Sequence, residues 1–234
     1  MLLISLYLLH SLALSEPVIN PFGTYLGSNS GVPGYSNGND NNSNEDSYVG
    51  NIYSGLKWQC VEYARRWLII TQSLTFASVD CASDIWHIDY LSSTSDSSKY
   101  IWHIDYLSST SDSSKHTSLY RIPNGSKCPP SKGDLIIYKR TETNPVGHVA
   151  IISKVDYDDI EISEQNWDTD FWPGNYSRAM PLTELSGLYY LFDFEYPIIG
   201  WMSYNKPENV HCADIECVTC SAPDRDKDPK CEYL

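Results

Sequence analysis

Three residues of this 234-residue chain have types and settings suited to acyl transfer: Cys60, His148 and Glu164. Cys60 lies at the start of WQCVEYARRWLII (58–70). A helix start offers free backbone N–H groups and a favourable dipole, and these stabilise thiolate over thiol. A thiolate nucleophile also needs an imidazole to hold a proton and deliver it to a leaving amine. His148 meets that need where it opens the apolar run HVAIISKV (148–155) after Asn144-Pro145-Val146-Gly147. Glu164 closes the alternating run IEISE (160–164), and Tyr157-Asp158-Asp159 between the runs has the chemistry of a turn. A hairpin turning near 156 or 157 pairs positions that sum to about 312 to 314, so His148 faces Glu164 or its near neighbours, ~5 Å away. Taken singly, Cys60 reads equally as a buried or disulfide cysteine, His148 as a core histidine and Glu164 as a strand-end carboxylate.

The elements that must position these groups follow from patterning. In 58–70, Val61, Ala64 and Leu68 recur at helical spacing beside Glu62, Arg65 and Arg66, which predicts a helix with one packed face and one polar face. DLIIY (134–138), HVAIISKV and IEISE read as strands. From Ser28 to Asn44, 15 of 17 residues are Ser, Asn, Gly, Asp or Pro, so 28–47 reads as a flexible surface loop. IWHIDYLSSTSDSSK at 85–99 recurs unchanged at 101–115, and the duplicated insert, 100–115, is expected to be peripheral.

Residues 2–14 form an apolar run ahead of Ala13-Leu14-Ser15, the pattern of a signal peptide over 1–15; the run is too short to span a bilayer. The seven cysteines, Cys60, Cys81, Cys128, Cys212, Cys217, Cys220 and Cys231, fit a secreted chain with up to three disulfides and one thiol left over. Sequons at Asn41, Asn124 and Asn175 suit the same route. His211 and the Cys-x-x-Cys of the 204–234 tail are read as disulfide chemistry, with no metal site expected. A net charge of −14 gives little support to a nucleic-acid or anionic-membrane partner.

The segment GLKWQCVEYARRWL at 55–68 resembles the nucleophile helix of CHAP amidases, the cysteine, histidine-dependent amidohydrolases/peptidases. PFGTYLG (21–27), GDLIIY (133–138), GHVAIIS (147–153), EQNW (164–167) and IIGWM (198–202) follow in the order of the amidase domains of the glutathionylspermidine and trypanothione synthetases. The resemblance covers most of 21–202 and implies an α+β, papain-like CHAP fold over 16–203, with the nucleophile helix packed on a small antiparallel sheet. It implies a triad of Cys60, His148 and Glu164, with Asn166 as an alternative orienting group and Arg65 as a carboxylate-binding residue. The backbone N–H of Cys60, and less so the Gln59 side chain, are the implied oxyanion donors. Trp58, Trp167 and Trp201 read either as cleft walls or as core.

The expected function is a secreted cysteine amidase without cofactor, located outside the cell or in the secretory lumen. It would hydrolyse an amide bond of a small peptide or amide substrate through a thioester, without the ligase activity of the bifunctional relatives. The substrate would be a glutathione–polyamine conjugate or a cell-wall peptide. The alternatives are a peptidoglycan-peptide hydrolase and a catalytically silent binding module with Cys60 consumed in a disulfide.

Overall fold

The computed structural model describes residues 19–39, 43–95 and 116–205. The apolar start, the second copy at 101–115 and the tail from 206 onward lie outside the described residues. In chain order the strands are β1 (Tyr25–Asn29), β2 (Val32–Tyr35), β3 (Asp46–Val49) and β4 (Ile52–Leu56), then helix α1 (Cys60–Gln72). After β5 (Leu74–Thr75) comes a 3-10 helix, Ala82–His87, followed by β6 (Tyr90–Ser93), β7 (His116–Ser118) and β8 (Tyr120–Pro123). The remainder is β9 (Leu135–Tyr138), β10 (His148–Val155), β11 (Asp159–Ser163), β12 (Arg178–Leu185), β13 (Leu188–Leu191) and β14 (Ile198–Ser203).

The expected α+β, papain-like class is not what the chain adopts: the fold is mostly β, built on a curled antiparallel sheet of seven strands in the order β13-β12-β11-β10-β9-β14-β8. The cause lies in the central strands, which are apolar on both faces. Leu135, Ile137, Val149, Ile151 and Met202 pack towards α1. The alternate residues Ile136, Ala150, Ile152, Ile160, Ile162, Met180, Leu191 and Trp201 pack on one another. Each such aliphatic side chain, fully buried, contributes about 1.5–3 kcal/mol, and the sheet covers this second face by curling on itself. The curl brings its edges together: Gly125 N–H donates to Tyr189 O at 2.8 Å and Tyr189 N–H to Ser126 O at 2.8 Å. Asn124 completes the seam, its Nδ2 donating to Leu191 O at 2.9 Å and its Oδ1 accepting from Leu191 N–H at 2.8 Å. This sequon amide is therefore committed to the fold, whereas Asn175 is exposed.

Helix α1 also departs from the expected pattern of one packed and one polar face. Glu62, Arg65 and Arg66 are all buried, because hairpins β1–β2 and β3–β4 cover the side of the helix turned from the sheet. The Ser/Asn-rich segment expected to be a flexible loop builds much of this cover. Val32 and Ser36 are fully buried, and polar groups find partners: Trp67 Nε1–H donates to Asn29 Oδ1 at 2.9 Å and Ser36 Oγ–H to Asn20 O at 2.6 Å. Gly27 and Gly34 leave room for Trp172, since a Cβ at either would lie 2.5 Å or less from its side chain. Composition alone missed this, because small polar residues bury readily once every donor and acceptor is matched. In the first repeat copy Ile85 and Leu91 are likewise fully buried.

Candidate active site

Antiparallel pairing delivers four polar residues to one end of the curled sheet. The apolar rows on its inner face continue into Tyr138 at the end of β9, His148 at the start of β10, Glu164 just past β11 and Arg178 at the start of β12. In the β10–β11 ladder Ile151 faces Ser163 and Ile152 faces Ile162. Carried on, that register sets His148 against Asn166, so Glu164 meets the histidine diagonally rather than directly. Ile162 pairs with Arg178 on the other side, which makes Glu164 diagonal to Arg178 as well. Diagonal positions lie about 7–8 Å apart, a gap that long side chains bridge.

Cys60, His148 and Glu164 come together there, and all three are buried. Glu164 Oε2 lies 2.8 Å from His148 Nε2, which leaves Nδ1 as the ring nitrogen free to exchange a proton with Cys60. The sulfur receives hydrogen bonds from His148 and from the backbone N–H groups of Val149 and Val61. Burial alone would raise the Cys60 pKa, but His148 and these donors outweigh it and the thiol is more acidic than usual. Burial also opposes charge on His148, yet the Cys60 thiolate and then the Glu164 carboxylate raise its pKa to about 9. For Glu164 the burial penalty is overcome first by His148 and then by Arg178, so its carboxyl is held below its usual value. The arrangement favours a thiolate–imidazolium–carboxylate line at neutral pH.

The other expected site residues separate from this line. Asn166, in the left-handed region at φ 59°, donates from Nδ2 to Gln59 Oε1 at 2.8 Å and accepts at Oδ1 from Asn37 Nδ2 at 2.9 Å. It fixes the Gln59 amide and does not take the orienting place beside His148. Gln59 precedes α1, so its amide stands beside Cys60. Arg65 is turned into the protein: its nitrogens donate to Thr75 Oγ1, to Ser78 Oγ at 3.1 Å and to Tyr53 O at 3.0 Å, and burial lowers its pKa to about 10. With 6% of its surface exposed, it is not presented as a carboxylate clamp. Trp201 is core, whereas Trp167 stands edge-on to His148 at 4.9 Å. Trp58, two residues ahead of Cys60, packs on Tyr35 at 4.2 Å.

The CHAP domain signature matches residues 51–166, a span that holds Cys60, His148 and Glu164. Residues 51–166 thus carry a CHAP domain. It is 31% identical over 206 residues to trypanothione synthetase of Crithidia fasciculata, an alignment covering 83% of this chain and 29% of that protein. It is 32% identical over 196 residues to the bifunctional glutathionylspermidine synthetase/amidase of Escherichia coli (strain K12), covering 78% of this chain and 29% of the relative. Glutathionylspermidine synthase of Crithidia fasciculata is 30% identical over 158 residues, covering 65% and 20%. The chain thus spans less than a third of the length of these curated relatives.

Around this CHAP domain the sequence reading missed two groups. Arg178 donates from Nε to Glu164 Oε1 at 2.5 Å, from Nη1 to Asp193 Oδ2 at 2.7 Å and from Nη2 to Tyr138 Oη at 3.0 Å, and its guanidinium lies 4.0 Å over the Trp167 ring. The long connection 164–177 between β11 and β12 carries no short-turn signal that would have paired Arg178 with Glu164. Beneath α1, Glu62 accepts from Ser47, Ser54, Arg66 and Gln165, and Arg66 Nη2 also donates to Gln165 Oε1 at 2.8 Å. That cluster ties α1 to the residue following Glu164.

Proposed function

We propose that the chain is a cysteine amidase that cleaves an amide bond through a thioester. The observation that carries this reading is the buried line Cys60–His148–Glu164, with Glu164 Oε2 2.8 Å from His148 Nε2. The CHAP domain and the likeness to a synthetase/amidase support a hydrolase of amide bonds. The Cys60 thiolate attacks the carbonyl carbon, and the carbonyl electron pair moves to oxygen. The first-turn N–H groups of a helix lack intrahelical partners, so the Cys60 N–H is available to that oxyanion, with the Gln59 amide beside it. On collapse the C–N bond breaks and the His148 imidazolium gives its proton to the departing amine. Neutral His148 then takes a proton from water, hydroxide adds to the thioester, and the Cys60 thiolate leaves as the acid is released. Glu164 keeps the ring oriented and offsets its charge in both halves.

Cys60 is the free cysteine among the described residues, whereas Cys81 and Cys128 are both engaged, which weighs against the silent-module alternative. The substrate class we favour is a small amide of the glutathione–polyamine kind, by likeness to the named relatives. Secretion rests on the apolar start at 1–15, and amino-terminal sequencing of the protein from its native source checks it. The deciding experiment incubates the purified protein with glutathionylspermidine and, separately, with cell-wall peptides, and measures released amine. Release that disappears in Cys60→Ala supports the reading, and the responsive substrate assigns the class. Release that persists in Cys60→Ala sinks the mechanism.

A further inference from the structure

We propose that Arg178 is a positioning residue of the site, acting on His148 from two sides through Glu164 and Trp167. The proposal rests on the amidase reading above and concerns a residue beyond the matched span 51–166.

The case is geometric. Glu164 has two oxygens and divides them: Oε2 serves His148 at 2.8 Å and Oε1 serves Arg178 at 2.5 Å. A carboxylate held by one partner can rotate about its last torsion, which is broad; one held at both oxygens cannot rotate without breaking an ion pair. Arg178 is itself fixed by Asp193 at 2.7 Å and by Tyr138 Oη at 3.0 Å. The side chain of Asp193 is 2% exposed and that of Arg178 is 22% exposed, so the pair is shielded from most solvent screening. The same guanidinium covers Trp167 at 4.0 Å, and Trp167 stands edge-on to the His148 ring. One cation therefore sets both the hydrogen-bond partner and the packing wall of the imidazole.

The groups facing Glu164 from neighbouring elements are His148 on β10, Arg178 on β12, Tyr138 on β9, Tyr63 on α1, Ser177 and Asp168. Arg178 contributes a permanent positive charge to this set. Without it the carboxylate protonates at higher pH. A protonated Glu164 no longer offsets charge on His148, so the proton held by the Cys60–His148 pair moves to sulfur and the reactive thiolate is lost sooner as pH falls.

The test measures iodoacetamide alkylation of Cys60 against pH in the full chain, which needs no knowledge of the substrate, alongside the carboxyl resonance of Glu164 in carbon-13 glutamate-labelled protein. In Arg178→Gln the acid limb of the alkylation profile and the Glu164 titration should both move up by about one pH unit, the low end of the effect of an adjacent opposite charge. Below the midpoint that is an about tenfold slower reaction. Arg178→Lys keeps the charge and should return both curves towards the native ones. A folded Arg178→Gln protein with native limb and native Glu164 titration overturns the proposal. Should Arg178→Gln fail to fold, Tyr138→Phe, which releases Nη2 without altering any charge beside Glu164, must raise the limb by a smaller amount, and an unshifted limb there overturns it equally. A native protein whose Cys60 shows no activated reaction removes the amidase reading together with this inference; a native limb present but insensitive to Arg178 removes this inference alone.

Discussion

Glu62 and Glu164 are buried carboxylates, each answered by an arginine, and they differ in what else holds them. Glu62 sits inside α1, fully buried, and accepts from two serine hydroxyls, from Arg66 through Nε at 2.7 Å and Nη2 at 3.2 Å, and from the Gln165 amide. None of those donors belongs to a histidine. Glu164 shares its oxygens between Arg178 and His148, and the histidine changes charge as pH rises through about 9. The first arrangement locks a helix between two hairpins and a sheet; the second is coupled to a proton that moves. Buried charge of equal depth therefore separates into scaffold and chemistry according to whether a partner titrates.

The largest expected effect comes from breaking the scaffold half. Glu62→Ala leaves Arg66 buried beside an empty acceptor site, and such a loss costs about 3–5 kcal/mol. Chemical denaturation should report it, and the alkylation profile of the protein that still folds should keep its limbs.

Glu164→Gln breaks the other half and should do the reverse. Stability falls by about 1–3 kcal/mol, because the neutral amide still fills the space while Arg178 loses its ion pair. Amide hydrolysis should drop at least about tenfold to a hundredfold, the scale known for carboxylates that orient metal-bound histidines. A stability loss without a rate loss would erase the contrast between the two carboxylates.

The pH dependence sharpens the same contrast. His148 has a folded pKa of about 9, above its ordinary value of 6.5, so its imidazolium stabilises the fold below pH 6.5 and that contribution fades as pH rises through about 9. The amine-release step should lose its acid over the same window. In Glu164→Gln the basic limb should move down, whereas in Glu62→Ala it should stay near pH 9.

Smaller effects belong to parts that touch neither carboxylate. Gly34→Ala puts a Cβ 2.3 Å from the Trp172 ring and should cost ~1–3 kcal/mol in thermal or denaturant unfolding. Glu45→Gln removes a surface pair to Lys57 whose carboxylate side chain is 66% exposed, and should change stability by about 1 kcal/mol or less.

The chemistry was more legible than the architecture. A cysteine before an amphipathic run and a histidine opening an apolar strand are local patterns, and Cys60 and His148 were readable for that reason. Glu164 was readable because a short hairpin links it to His148, although the bulge between Ile152 and Lys154 changes the ladder and leaves the pair diagonal. Arg65 was misread since helical spacing cannot tell which side of α1 the β3–β4 hairpin covers. The Ser/Asn-rich stretch was misread because composition records polarity without recording partners. Trp67 and Asn175 lie far along the chain from Asn29, yet they supply its hydrogen bonds.

What the sequence by itself determined is the set of reactive types, the helix that presents Cys60 and the apolar rows of β9 to β11, all products of interactions within a few residues or one turn. Tertiary structure decided that those rows close into a curled sheet, that the charges of α1 are interior and that Arg178 reaches Glu164. Each of these depends on which distant surfaces exclude water from one another, and periodicity carries no record of that pairing.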